Sequence, residues 1–130
     1  MLNKSPGGSV FPYYYKGGEI HCLKYGSFKN NSSQLFEIMK LEEEFIKKKE
    51  RPLRIWVDFY ETDLSDEVLE QFCDHIDSIK KQIVKLAIVG VHFFEKKKIN
   101  HLLKIRGIMI RVKYDSDPEV AKTWLVGEVN

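Results

Sequence analysis

Leu86 to Val91 reads LAIVGV, an apolar run with no polar position to turn toward solvent. A strand with one face in water alternates, so an unbroken run of strand length needs cover on both faces. It is also far too short to cross a membrane. The segment before it carries the clearest periodicity in the chain: Val68, Leu69, Phe72, Cys73, Ile76, Ile79 and Ile83 fall on one stripe at helical spacing. That stripe predicts a helix over 66–81. LRIWVDFY, residues 53–60, is a second strand-like run ahead of it. Strand, helix and doubly covered strand together point to βαβ units in a largely parallel sheet.

The flanking segments extend the alternation. VFPYYYK and EIHCLKYGSF surround Lys16, Gly17 and Gly18 and read as an antiparallel hairpin, with Pro12 holding the first strand at an edge. Residues 33–49 read as a helix on the line Leu35, Met39, Glu42 and Ile46, widened by Phe36, Ile38 and Phe45. Ser32 or Ser33 is its expected cap, and Lys47 to Lys49 suit its C-terminal dipole before Pro52 stops it. EKKKINHLLKI gives a shorter helix on Ile99, Leu102 and Leu103, closed by Gly107, and IMIRVKY gives another strand. Asp117 and Pro118 open a last helix expected to face Val120, Ala121, Trp124 and Leu125 inward. The expected fold is α/β, a single mixed, mostly parallel sheet with helices in the order β-β-α-β-α-β-α-β-α. Residues 1–9 predict a flexible N-terminal segment, and 10–130 a single domain.

At 130 residues and 43% hydrophobic content the chain can bury a full core. A net charge of +2 makes no whole-molecule case for nucleic acid. Cys22 and Cys73 form no CxxC pair and meet no histidine at zinc spacing, which fits a reduced, cytoplasmic setting with no metal. The opening MLNKSPGGSV has no apolar leader, and no membrane insertion is expected.

The opening hairpin, the strand RIWVDF, the central LAIVGV and the closing KYDSDPEVAKTWL together resemble the STAS family, the anti-sigma-factor-antagonist fold typified by SpoIIAA-like proteins, over about residues 10–127. The closing segment is similar to the acidic-Pro-Glu-x-Ala-x-x-Trp-Leu ending of such sequences. The resemblance implies a SpoIIAA-like domain and a regulatory module of bacterial type that works through a protein partner without a cofactor. In that branch, a partner kinase phosphorylates a serine in an Asp-Ser-Ser-Gly turn after the second long strand. TDLSDE is the matching turn here: Asp63 takes the place of the Asp and Ser65 that of the phosphoacceptor, while Leu64 and Asp66 replace the middle Ser and the Gly.

Taken on its own residues, the same turn reads as a helix start. The Ser65 hydroxyl can accept from the N–H of Glu67 or Val68, worth about 1 kcal/mol. Leu64 and Leu69 have the spacing of a hydrophobic staple, and Asp66 and Glu67 oppose the helix dipole favourably. A phosphate on Ser65 would gain roughly 0.3–1 kcal/mol from that dipole. It would also meet the carboxylates of Asp63, Asp66 and Glu67. At ~6 Å and an effective dielectric of ~20–80, each unit-charge pair repels by ~0.7–3 kcal/mol. The turn therefore reads as an acidic cap, not a phosphate cradle.

In an open parallel sheet, ligands meet the edge where strands end and helices begin. YETDLS, HFFEKKK and YDSDPE converge there and bring together Tyr60, Glu61, Asp63, Ser65, His92, Phe93, Asp115 and Ser116. Asp66, next in the chain after Ser65, is counted with Asp63, Ser65, His92, Phe93 and Asp115 as the expected docking residues. No GxSxG elbow or glycine-rich oxyanion loop accompanies them, so no catalytic residue is assigned. His21, His75, His92 and His101 are scattered and read as surface or half-buried polar groups. Lys96, Lys97, Lys98, Lys104 and Arg106 make a basic tract, either a solvated helix face or a docking patch, beside Phe93 and Phe94, at least one of which is expected in the core. Phe11, Tyr13, Tyr14, Tyr15 and Tyr25 are expected to cover the sheet, or else to form a homodimer edge. The leading expectation is a non-enzymatic interaction module docking a partner around Ser65. The alternatives are a SEC14-like carrier of a small apolar ligand or lipid, and an enzyme using the same loop edge.

Overall fold

The structure, a computed structural model, describes residues 3–127. Its strands and helices follow in the order β1 (Asn3–Lys4), β2 (Val10–Phe11), β3 (Tyr13–Tyr15), β4 (Gly18–Lys24), α1 (Ser32–Lys49), β5 (Leu53–Asp58), α2 (Asp66–Ile79), β6 (Ile83–Val89), α3 (Phe93–Ile105), β7 (Arg111–Tyr114) and α4 (Pro118–Val126). A short 3₁₀ turn, Lys80–Gln82, links α2 to β6. The main sheet runs β3-β4-β5-β6-β7, with β3 antiparallel to β4 and the other pairs parallel. The mixed, mostly parallel sheet expected from the strand–helix alternation is present.

Period-two alternation divides the buried apolar residues of the central strands between two cores. Leu23, Ile55, Val57, Leu86 and Ile88 join α1, α2 and α3 in the larger cluster. Their sequence neighbours Cys22, Trp56, Ala87 and Val89 join Ala121 and Leu125 of α4 in the smaller one. LAIVGV lacks alternation because β6 is covered on both faces. Small Ala87 of β6 and Ala121 of α4, both fully buried, belong to this smaller core.

Several local expectations are corrected. The cap of α1 is Asn31, whose side chain accepts from Gln34 N at 3.2 Å, so the helix begins at Ser32 itself. Helix α2 stops at Ile79. Strand β7 loses Ile108 to Ile110, because Ile108 belongs to the end of α3: Gly107, at φ +68°, donates to Lys104 O and Ile108 donates to Leu103 O. Those two bonds close the helix in the Schellman manner. Phe93 and Phe94 are both exposed, at 64% and 81%. They stand about 240° and 140° around the helix from buried Ile99. Val120 faces outward, while Ala121 and Leu125 are buried.

The aromatic hairpin divides between the two faces. Phe11 and Tyr25 belong to the larger core, Tyr13 and Tyr15 pack on the smaller one, and Tyr14 is exposed. Residues 3–9, most of the segment expected to be flexible, make specific contacts: β1 pairs with β2, and Ser5 and Ser9 are buried. Buried Glu42 accepts from Ser5 Oγ at 2.7 Å and from Gly7 N at 2.9 Å, and lies 2.9 Å from His21 Nε2. Residues 1–2 and 128–130, the ends of the expected N-terminal segment and domain, lie outside the described residues.

Candidate functional site

The β5–α2 connection is pinned on both sides by its neighbours. Phe59 N donates to Val89 O at 3.0 Å on the β6 side. On the β4 side, Ser27 N donates to Tyr60 O at 2.7 Å, Lys29 N to Glu61 O at 3.0 Å, and Asp63 N to Lys29 O at 2.8 Å. The Thr62 hydroxyl donates to Tyr25 O at 2.6 Å and accepts from Phe28 N at 3.2 Å. Parallel pairing thus continues past the end of the regular strands. Glycine is required for the approach: a Cβ on Gly26 would lie 2.7 Å from Tyr60 O, and one on Gly90 (φ +85°) 2.6 Å from Tyr60 N. Gly26 and Gly90 bracket the Tyr60 backbone, and side chains at those positions would push the corner apart.

Ser65 is the N-cap of α2, with extended backbone and a hydroxyl accepting from Val68 N at 3.2 Å. Leu64 packs on the core cluster that contains Leu69, as a staple requires. Asp66 and Glu67 fill the first turn. At the next junction, Glu95 accepts from His92 N at 2.8 Å, which starts α3. At the third, Asp115 N donates to Ile88 O, and the Asp115 carboxylate accepts from Asp117 N at 2.9 Å. The Asp117 carboxylate in turn caps α4 through Glu119 N.

An open cleft of about 740 Å³ lies among these junctions. Tyr60, Glu61, Asp63, Ser65, His92 and Ser116 line it together. Asp66, Phe93 and Asp115 are not among its lining residues. Asp66 and Phe93 are exposed, whereas Asp115 is half-buried in its turn. Glu95, which sequence reasoning passed over, does line the cleft. Its spacing of three from His92 was the available signal, since a glutamate there reaches back to the cap. Glu61, Asp63 and Glu95 make the lining acidic.

The basic tract is broken up. Arg106 bonds Asp74 through Nε and Nη2 at 3.1 and 2.9 Å and Glu70 at 3.1 Å, joining α3 to α2. Lys96 lies over the Tyr114 ring and Lys97 over Phe93, while Lys98 is half-buried and Lys104 exposed.

Two of the four histidines are buried instead of superficial. His21 belongs to the Glu42 network described above. His75 Nε2 lies 2.8 Å from the hydroxyl of fully buried Tyr25, and its Nδ1 lies 3.1 Å from Glu43 Oε1. The hydrogen bond from His75, with that from Ser78, holds the Glu43 carboxyl at about 2 against the opposing effect of burial. Burial pushes the Tyr25 hydroxyl well above its ordinary value. The partners lie dozens of residues apart, which is why sequence spacing carried no sign of them. Among the described residues, no group of His, Cys, Asp and Glu is arranged to hold a metal ion, and no helix is long and apolar enough to cross a membrane.

In comparisons with known proteins, the chain matches no family model, no curated protein and no solved structure.

Proposed function

We propose that the chain is a STAS/SpoIIAA-like regulatory module that docks a protein partner at the loop edge around Ser65 and performs no chemistry there. The observation that carries the reading is the fixed β5–α2 corner, whose backbone is bonded to the loops on both sides while Tyr60, Glu61, Asp63 and Ser65 stay exposed. A surface ordered before binding loses little freedom on binding. Tyr60, Phe93 and Phe94 supply exposed aromatic area, and Glu61, Asp63 and Asp66 supply charge. That combination suits a partner with an apolar centre and a basic rim. The consecutive strand order, with α1 to α3 in one core and α4 in the other, supports the SpoIIAA-like reading. The Ser65 hydroxyl serves the helix, and any phosphate placed on it would meet three nearby acids in the chain.

The test begins with partner capture and continues with titration of the purified partner. Asp63→Lys with Asp66→Lys should weaken binding at least tenfold, while costing the fold less than about 2 kcal/mol, the sum of two exposed charge changes near a helix start. Undiminished binding by a folded double variant would remove this surface from consideration.

A further inference from the structure

On the α4 face, under the hairpin, a second cavity of about 190 Å³ lies between the sheet and α4. Its apolar walls are Val10, Tyr13, Cys22 and Trp56; Ser9, whose hydroxyl donates to Cys22 O, and the lysines Lys24 and Lys122 complete the lining, with no carboxylate among the described residues. Both lysines act on the Cys22 thiol, opposing the burial that nevertheless pushes it up to about 11. The thiol is therefore protonated and serves as an uncharged wall.

Lys122 Nζ is held on aromatic faces, 4.6 Å from the Trp56 ring centroid, 5.3 Å from Tyr13 and 6.0 Å from Tyr15. A cation so placed is only partly compensated and stays available to an anion. Trp56, which lines the cavity, also carries an unmet group: its Nε1 is buried with no hydrogen-bond partner among the described residues. Buried donors are rarely left in that condition.

We propose that this cavity binds a small aromatic monocarboxylate, its carboxylate paired with Lys122 and Lys24 and its ring laid against Tyr13 and Trp56. The volume sets the size class. At about 190 Å³ the cavity is smaller than the ~300–1,000 Å³ of drug-sized sites, so a lipid chain does not fit and a benzoate-sized acid does. The cavity shares no lining residue with the loop-edge cleft, so either assignment can fail without the other.

The chain has two tryptophans, Trp56 and Trp124, so two indole N–H signals report on the site in a proton–nitrogen correlation spectrum. Titration with sodium benzoate should shift the Trp56 indole saturably, with a Kd on the order of 0.1–1 mM. Benzylamine, of the same shape and opposite charge, should leave it in place. Lys122→Gln combined with Lys24→Gln should weaken benzoate at least tenfold while the rest of the spectrum stays folded. No saturation up to ~20 mM benzoate, an equal response to benzylamine, or unchanged affinity in the double variant would each overturn the site. Inorganic phosphate binding as tightly as benzoate would overturn it too, because the aromatic wall would then contribute nothing.

Discussion

Glu42 and Glu43 are neighbours on α1, and each engages a histidine from another element, yet their surroundings are opposite. Glu42 and His21 are both sealed, at 0% side-chain exposure, and the carboxylate also gathers Ser5 and Gly7. Glu43 is 26% exposed and bridges to α2 through His75 and Ser78, with Lys47 3.5 Å away. One residue step turns a helix by about 100°, enough to move a carboxylate from the core to the groove between α1 and α2 that Met39, Glu43, His75 and Ser78 line. The two pairs look alike in composition and differ in consequence. A sealed pair leaves an uncompensated group when either member is lost, whereas a solvated pair is relieved by water.

The largest effect should follow Glu42→Leu. Loss of about 3–5 kcal/mol is expected, because His21, Ser5 and Gly7 lose their shared partner. Native-state hydrogen exchange should show residues 3–9 losing protection while the loop edge keeps its own. A cost under ~1 kcal/mol would erase the contrast between the pairs.

Next, His75→Leu should cost about 1–3 kcal/mol by stranding the buried Tyr25 hydroxyl. Adding Tyr25→Phe should recover part of that loss, since removing both partners of a buried bond costs less than removing one. Urea unfolding of the single and double variants measures the recovery, and its absence would place the cost in packing. Ser65→Ala, a solvated cap of familiar worth, should cost about 1 kcal/mol and provides the scale between the two pairs.

Glu43→Gln should have the smallest effect at neutral pH, about 1 kcal/mol: the depressed carboxyl alone would imply roughly 3 kcal/mol, but a side chain 26% exposed is screened by solvent and glutamine can still accept from Ser78. Its signature lies in acid. The folded carboxyl sits at about 2 against an ordinary 4.5, so its contribution is complete above pH 4.5 and disappears as pH falls toward 2. Urea midpoints followed from pH 7 to 2 should fall less steeply in the variant. A slope unchanged from the wild type would assign the acid sensitivity to another carboxylate.

The acidic corner was legible because its determinants are local. Ser65, Asp66 and Leu64 act on residues three to five positions away, and capping, dipole and staple are all read at that range. Glu42 was visible on the apolar line of α1 but not its reason for being there, since His21 and Ser5 lie 21 and 37 residues away. IMIRVKY misled because a helix terminus and a strand both prefer apolar residues, and the Gly107 closure claims Ile108 first. Phe93 and Phe94 misled because hydrophobicity alone does not say which way a helix is rotated.

What the sequence by itself determined is the order of the main strands and helices and the buried stripes of α1 and α2, because side-chain periods of 2 and 3.6 record burial where the apolar pattern is strong. Only the tertiary structure decided which buried groups meet: Glu42 with His21, Tyr25 with His75, and the Tyr60 backbone with Gly26 and Gly90. The physical reason is that a period reports that a side chain is covered, whereas its covering partner is set by distances across the sheet and between helices that no local pattern encodes.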